Sequence, residues 1–118
     1  MILVDSSVWI DHLRKGDREL AFLLEEGLVL CHPFVLGELA LGRMKNRDRI
    51  LSHLAALPFT PTASHGEVLH MVQEKKLHGL GVGWVDVHLL ASALLSHSKL
   101  LTRDKALGSL VRELDLAP

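Results

Sequence analysis

Short apolar runs alternate along the chain with longer stretches in which apolar residues recur every three or four positions. Residues 2–4 are apolar in succession, as in a central strand that is buried on both faces of a parallel sheet. Similar runs at residues 28–31 and 100–102 predict two more strands. Strands that alternate with helical stretches are typical of an α/β fold with a central, mainly parallel sheet.

Capping residues, glycines and prolines indicate where the helices begin and end. Asp17 is a suitable N-cap for a helix that ends near Gly27, and Ser64 and Glu67 have the spacing of a capping box. Pro33 fits the first turn of a helix that extends to about residue 43. The remaining predictions are helices over residues 6–15, 47–57 and 85–97, a helix from about residue 104, and short strands at residues 59–60 and 114–117.

Length and composition narrow the class of protein. A chain of 118 residues with 48% hydrophobic and 23% charged residues fits one folded domain, residues 1–118, with a sheet of four or five strands. No apolar run is long enough to cross a membrane, and the first residues do not resemble a secretory signal. The single cysteine, Cys31, excludes an internal disulfide and fits a reducing compartment, so the expected location is the cytoplasm. The net charge of -1 gives no reason to expect that the chain binds nucleic acid.

Two acidic residues stand at the ends of predicted strands. Asp5 directly follows the strand at residues 2–4, and Asp104 comes just after the strand at residues 100–102. In open α/β sheets, ligand sites gather at the carboxyl ends of the strands, which favours a functional role for both residues. Each also has an alternative interpretation as the N-cap of the helix that follows.

Two more acidic residues lie within strongly apolar helical stretches. Glu38 is in residues 33–41 and Asp86 is in residues 83–91, where nearly every neighbour is apolar. A carboxylate in such surroundings needs a cation or hydrogen-bond donors, because burying it unpaired costs several kcal/mol or more. For Asp86 the alternative interpretation is a first-turn acid that faces the helix dipole.

The four acids together predict more than any one of them alone. If Asp5, Glu38, Asp86 and Asp104 converge without cations, they repel one another and raise one another's pKa. Mg²⁺ or Mn²⁺ removes that conflict, since both ions prefer oxygen ligands and retain water molecules. Metals held by carboxylates activate water and stabilise the oxygens of a phosphodiester during cleavage. The residues therefore predict a metal-dependent phosphoryl-transfer or hydrolytic site.

Four segments, in this order and in a chain of this length, resemble a known family. Residues 3–11 (LVDSSVWID), 37–40 (GELA), 83–93 (GWVDVHLLASA) and 101–104 (LTRD) together resemble the PIN-domain ribonucleases. Within that family they are most similar to the VapC toxins of bacterial type II toxin–antitoxin systems. The resemblance covers essentially the whole chain.

The resemblance implies a three-layer α/β/α sandwich and an Mg²⁺- or Mn²⁺-dependent endoribonuclease that hydrolyses an RNA phosphodiester with metal-activated water. By position, Asp5 and Asp86 would bind the metal directly, and Glu38 and Asp104 would do so directly or through water. Ser7 matches a small hydroxyl residue that supports the first acid. The resemblance also implies a homodimer and a cognate VapB-like antitoxin that blocks the site.

Weaker signals concern the RNA contacts and the alternative functions. Arg103 and Lys105 flank Asp104 and are candidates for binding RNA phosphates. Trp84 is a candidate for a contact with the substrate, although core packing is the favoured interpretation of that ring, and the small number of aromatic residues argues against a broad base-stacking surface. One alternative function is a phosphohydrolase that uses Asp5 as its nucleophile. The other is a PIN-like module that binds a partner without catalysis.

Overall fold

Three short parallel strands form the centre of the protein in the computed structural model, which describes all of residues 1–118. They are β1 (Ile2–Val4), β2 (Val29–Leu30) and β3 (Lys99–Leu101), in the spatial order β2-β1-β3. Ile2 is paired with Val29 on one side and with Lys99 on the other. Because β1 is central, its side chains Leu3 and Val4 are fully buried, which accounts for the uninterrupted apolar run in the sequence.

Seven helices surround the strands. They are α1 (Ser6–Lys15), α2 (Arg18–Glu25), α3 (Pro33–Leu41), α4 (Arg47–Ala55), α5 (His65–Glu74), α6 (Trp84–Ser96) and α7 (Lys105–Glu113). The predicted capping residues are confirmed: the Asp17 carboxylate accepts a hydrogen bond from the Leu20 backbone N–H at 3.0 Å, and Ser64 and Glu67 form the capping box. The predicted α/β fold with a parallel sheet is therefore confirmed.

The predicted number of strands is wrong, since the sheet has three strands and not four or five. At one edge, residues 59–60 form only a single bridge, between Phe59 and Cys31. Prolines flank this segment on both sides, and a proline has no N–H with which to extend a ladder. At the other edge, the Leu116 carbonyl accepts one hydrogen bond from the Leu100 N–H at 2.9 Å, and no strand forms at residues 114–117.

The core holds α6 against the sheet and so fixes the position of its first turn. Seven consecutive residues of α6, from position 87 to position 93, are buried, which explains why this helix is apolar on nearly every side. Cys31 is also buried, and this burial raises the pKa of its thiol, as expected for a packing residue and not for a nucleophile. None of the helices is long and apolar enough to span a membrane.

The helices α1, α3 and α7 each begin a short distance after a strand, at Ser6, Pro33 and Lys105. Since the three strands are parallel, the starts of these helices meet at one edge of the sheet, formed by the carboxyl ends of the strands. That edge is where ligand sites lie in open α/β sheets, and it carries the acidic residues described below.

Candidate active site

Asp5 lies at the carboxyl end of β1 and is only 5% exposed. It occupies the N-cap position of α1, but its side chain makes no capping hydrogen bond. Its Oδ2 atom instead accepts hydrogen bonds from the hydroxyl groups of Ser7, at 2.7 Å, and Thr102, at 2.8 Å. The alternative interpretation of Asp5 as a helix cap is therefore not realised, and the Ser7 hydroxyl donates to its carboxylate.

Two backbone groups orient the hydroxyls that hold Asp5. The Arg103 N–H donates to Ser7 Oγ at 3.0 Å, and the Asp104 N–H donates to Thr102 Oγ1 at 3.0 Å. A hydroxyl group has one hydrogen to donate, so each hydroxyl accepts from the backbone and directs its own hydrogen to Asp5. Oδ2 is thereby satisfied, whereas Oδ1 has only a long contact, at 3.5 Å, with the Ser6 hydroxyl.

The helix α3 brings Glu38 to the same edge of the sheet. Its Oε1 atom accepts a hydrogen bond from the Ser6 hydroxyl at 3.1 Å, which ties the middle of α3 to the start of α1. Burial raises the pKa of the Glu38 carboxyl, and the negative charges of Asp5 and Asp86 raise it further, against the effect of the Ser6 hydrogen bond. Glu38 thus lies within electrostatic range of both acids.

Asp86 and Asp104 stand at the first turns of α6 and α7. Asp86 Oδ2 accepts from the Gly83 N–H at 2.9 Å, and Asp104 Oδ2 accepts from the Leu107 N–H at 2.8 Å, so both acids also serve as helix caps. Burial raises the pKa of Asp86, and the charges of Asp5 and Asp104 add to that rise. The capping interpretation of these two residues is confirmed, and their functional role stays a prediction.

The structure brings the four predicted acids into one cluster without a compensating positive charge. No arginine or lysine forms an ion pair with Asp5, Glu38, Asp86 or Asp104, because the ion pairs of the protein join other residues. Burial is the main cause of the raised pKa values of Glu38 and Asp86, and the repulsion that adds to it is a condition that a bound cation relieves.

The donor set fits a hard divalent cation that keeps much of its own water. Every charged oxygen in the cluster belongs to a carboxylate, the ligand type that Mg²⁺ and Mn²⁺ prefer. No group of three or more His, Cys, Asp or Glu side chains is arranged to hold a metal ion directly. Mg²⁺ is commonly bound through only one or two carboxylates, with water completing its shell, and such a mode needs no larger group of side chains.

The three residues predicted to contact RNA differ in their surroundings. The Arg103 guanidinium is bound to Asp17 at 2.9 Å and to Glu19 at 3.2 Å, so its charge is compensated by α2. Lys105 is exposed and has no ion-pair partner within 4 Å. Trp84 is 40% exposed, so the alternative of core packing does not apply to its ring. A role of these residues in RNA binding stays a prediction.

Sequence reasoning missed Thr102 and Ser6, the two other hydroxyl residues of the site. Thr102 directly follows β3, two positions before Asp104, and Ser6 lies next to Asp5. A signal was present, because both are small hydroxyl residues within two positions of an acid at the end of a strand. Their partners, however, are Asp5 for Thr102 and Glu38 for Ser6, which are distant in sequence.

The comparison with protein families agrees with this geometry. The PIN domain model matches residues 2–112, which include all four acids. The chain belongs to the PIN-domain family. It is also 48% identical to Ribonuclease VapC32 in two strains of Mycobacterium tuberculosis, over 118 residues that cover 99% of this chain and 95% of that protein. The resemblance to VapC-type PIN ribonucleases is therefore confirmed, and the protein is a nuclease of that type.

The hydroxyl of Thr102 gives a first testable prediction. Thr102→Val keeps the shape of the side chain but removes one of the two donors that hold the Asp5 carboxylate. We expect nuclease activity to fall about 10- to 100-fold, the range for losing a group that orients a metal ligand, which is the role predicted for Asp5. Thr102→Ser keeps the hydroxyl and serves as the matched control, which should retain most of the activity. Equal activity of Thr102→Val and wild type, at equal thermal stability, would contradict the role of this hydrogen bond.

Proposed function

We propose that this PIN-domain protein is an endoribonuclease that acts as the toxin of a toxin–antitoxin pair. It hydrolyses an RNA phosphodiester at the site formed by Asp5, Glu38, Asp86 and Asp104. The observation that carries the proposal is the convergence of four carboxylates with no basic partner at the carboxyl edge of the sheet. The membership of the chain in the VapC-type ribonucleases makes an RNA nuclease a better account than a phosphohydrolase or a non-catalytic module.

PIN-domain ribonucleases generally use divalent metal ions, and we propose Mg²⁺ or Mn²⁺ for this protein. Asp5 and Asp86 would bind the ion directly, and Glu38 and Asp104 would do so directly or through water. A bound divalent cation supplies the positive charge that favours attack by water and stabilises the oxygens of the phosphodiester. The protein's own part is to hold Asp5 in place, since Oδ2 takes both hydroxyl donors and Oδ1 stays open to a ligand.

A groove beside Glu38 supports the binding of an RNA backbone. It has a volume of about 620 Å³ and lies between α1, the end of α3 and the start of α4. Three basic side chains, Arg14, Arg43 and Lys45, line it together with Glu38, and none of the three is engaged in an ion pair. Uncompensated cations attract phosphates, so the groove offers a path for the RNA backbone to the acidic cluster. Lys105, at the start of α7, adds a further positive charge near Asp104.

The proposal extends to the partners of the protein. VapC toxins pair with VapB antitoxins, and we propose a VapB-like antitoxin that covers the acidic cluster. We also propose that the protein acts as a homodimer in the cytoplasm. The proposals of an antitoxin, a homodimer and a cytoplasmic location all rest on the membership of the chain in the VapC-type family.

Cleavage of RNA in the presence and absence of metal tests the proposed function. Purified protein, free of antitoxin, is incubated with total cellular RNA and Mg²⁺ or Mn²⁺, with and without EDTA. We expect discrete fragments with 5′-phosphate and 3′-hydroxyl ends, which EDTA suppresses and excess metal restores. Cleavage that EDTA leaves unchanged would contradict the metal requirement. Intact RNA with both metals would contradict the ribonuclease assignment.

A further inference from the structure

Five aromatic rings form a continuous ladder between α3, α5 and α6. Their order is His32, Phe34, His88, Trp84 and His65, and successive ring centroids are separated by 5.1, 4.8, 4.9 and 4.9 Å. Three of the four contacts are edge-to-face, which is a favourable geometry for aromatic pairs. The ladder therefore holds its rings in fixed orientations.

Two apolar rings of the ladder are exposed to solvent. His32 and His88 are buried, whereas Phe34 is 39% exposed and Trp84 is 40% exposed. Four of the five tryptophan and phenylalanine rings of the chain are exposed, but only Phe34 and Trp84 contact the same ring, His88. We call Phe34, His88 and Trp84 the aromatic surface. Exposed apolar rings held in place by their neighbours indicate a binding surface.

The aromatic surface borders the acidic cluster on two elements. On α3, Phe34 precedes Glu38 by four residues, so both lie on the same face, about 6 Å apart along the helix axis. On α6, Trp84 directly follows Gly83, whose N–H binds the carboxylate of Asp86. Two of the four acids are therefore within one helical turn of an exposed aromatic ring.

We infer that the aromatic surface stacks on a nucleobase of single-stranded RNA next to the bond that is cleaved. This inference rests on the proposed function and names how the substrate is held. Aromatic side chains stack on any base, because every base has a flat π-face, and such stacking requires a base that is not paired in a duplex. His88 is in contact with both exposed rings and so fixes their orientation.

The order of features along α3 indicates the path of the RNA strand. Phe34 lies near the start of the helix, Glu38 in its middle, and the basic groove with Arg43 at its end. An RNA strand that runs along α3 therefore places a base on the aromatic surface, the scissile phosphate at the acids and the neighbouring phosphates at the groove. A nucleic acid is the better occupant of this path, since the uncompensated side chains Arg14, Arg43 and Lys45 of the groove attract phosphates.

Tryptophan fluorescence tests the stacking without any cleavage. The protein has two tryptophans, and Trp9 is only 4% exposed, so an added ligand changes mainly the fluorescence of Trp84. A short unstructured RNA oligonucleotide, added in the presence of EDTA, should quench the fluorescence of the wild type. Trp84→Phe should abolish the quenching, because only the buried Trp9 remains. Equal quenching in both proteins would overturn the inference.

Kinetics provide the second test, with a matched control on another helix. Trp84→Ala should raise KM for RNA about 5- to 100-fold with a smaller effect on kcat, the range expected for the loss of one base stack. Phe22→Ala removes a ring on α2 that is 58% exposed and lies outside the aromatic surface, and it should leave both constants unchanged. A substrate with an abasic nucleotide next to the cleaved bond should raise the KM of the wild type by a similar factor. The same substrate should change the KM of Trp84→Ala very little, since both changes remove the same contact.

The outcomes separate this inference from the proposed function. If Trp84→Ala cleaves RNA with an unchanged KM while EDTA still stops the reaction, the inference is overturned and the ribonuclease stands. If Trp84→Ala converts a dimer into a monomer, as measured by light scattering, the surface is an interface between copies of the chain and the inference is overturned. If the wild type cleaves no RNA with either metal, the proposed function fails, and the inference fails with it.

Discussion

Asp5→Asn abolishes RNA cleavage, with an expected loss of at least about 1,000-fold, while the fold survives. Oδ2 of Asp5 receives the Ser7 and Thr102 hydroxyl groups, so the single amide oxygen of asparagine takes that place. The amide NH₂ group then occupies the position of Oδ1, where it has no lone pair to offer to a cation. A loss of about 1,000-fold corresponds to about 4 kcal/mol of transition-state stabilisation, which is in the range of a metal contribution.

Rates of cleavage, measured with saturating Mg²⁺ or Mn²⁺, check this prediction, and thermal unfolding checks the fold. Asp11→Asn is the matched control, because Asp11 lies on α1 and its side chain makes no hydrogen bond to the cluster. We expect Asp11→Asn to cleave RNA at the rate of the wild type. Activity of Asp5→Asn within about tenfold of wild type would contradict the assignment of Asp5 as a metal ligand.

The second large effect is a loss of stability at mildly acidic pH, caused by His32. This residue is fully buried, and its Nδ1 atom accepts a hydrogen bond from the Phe34 N–H at 2.9 Å, which caps α3. The proton of the neutral ring is therefore on Nε2, which is buried without a partner. Burial lowers the pKa of His32 to about 4, with a further contribution from His88. A second proton would place a charge in the core and displace the cap.

The sign of the pH effect follows from the two pKa values of His32. In the unfolded chain the pKa is about 6.5, so between pH 6.5 and 4 the unfolded chain binds a proton that the folded protein does not bind. The free energy of unfolding therefore falls as the pH falls through this window, by up to about 3 kcal/mol in total. Below pH 4 the folded protein is protonated as well, and no further loss arises from this group. The raised pKa values of Glu38 and Asp86 act in the opposite direction, because the folded protein retains their protons at higher pH than the unfolded chain.

A comparison with His32→Asn isolates the contribution of this histidine. Asparagine can accept the capping hydrogen bond of α3 but does not titrate in this range. Denaturant unfolding at pH 7, 5.5 and 4.5 should show a steeper loss of stability for the wild type than for the variant, whatever the stability of each at pH 7. Parallel curves for the two proteins would show that His32 keeps an ordinary pKa.

Local signals in the sequence were sufficient for most helix boundaries. Asp17, Pro33 and the Ser64–Glu67 capping box act on backbone groups within three residues of themselves, so their effect can be predicted without knowing the rest of the fold. The strand count was wrong because a strand is defined by a partner that is distant in sequence. Residues 59–60 and 114–117 lie beside the sheet, but neither segment forms a regular ladder.

In the acidic site, too, some features can be predicted from neighbouring residues and others depend on distant ones. Neighbouring positions were sufficient to identify the four acids that stand at strand ends or in apolar helices. The hydrogen bond from Thr102 to Asp5, which is 97 positions away, and the ion pair of Arg103 with Asp17 could be identified only in the folded protein. The tertiary structure also assembled the aromatic surface from two helices. Hydrogen bonds, ion pairs and ring contacts between distant residues depend on how the helices pack on the sheet, and no local pattern in the chain encodes that packing.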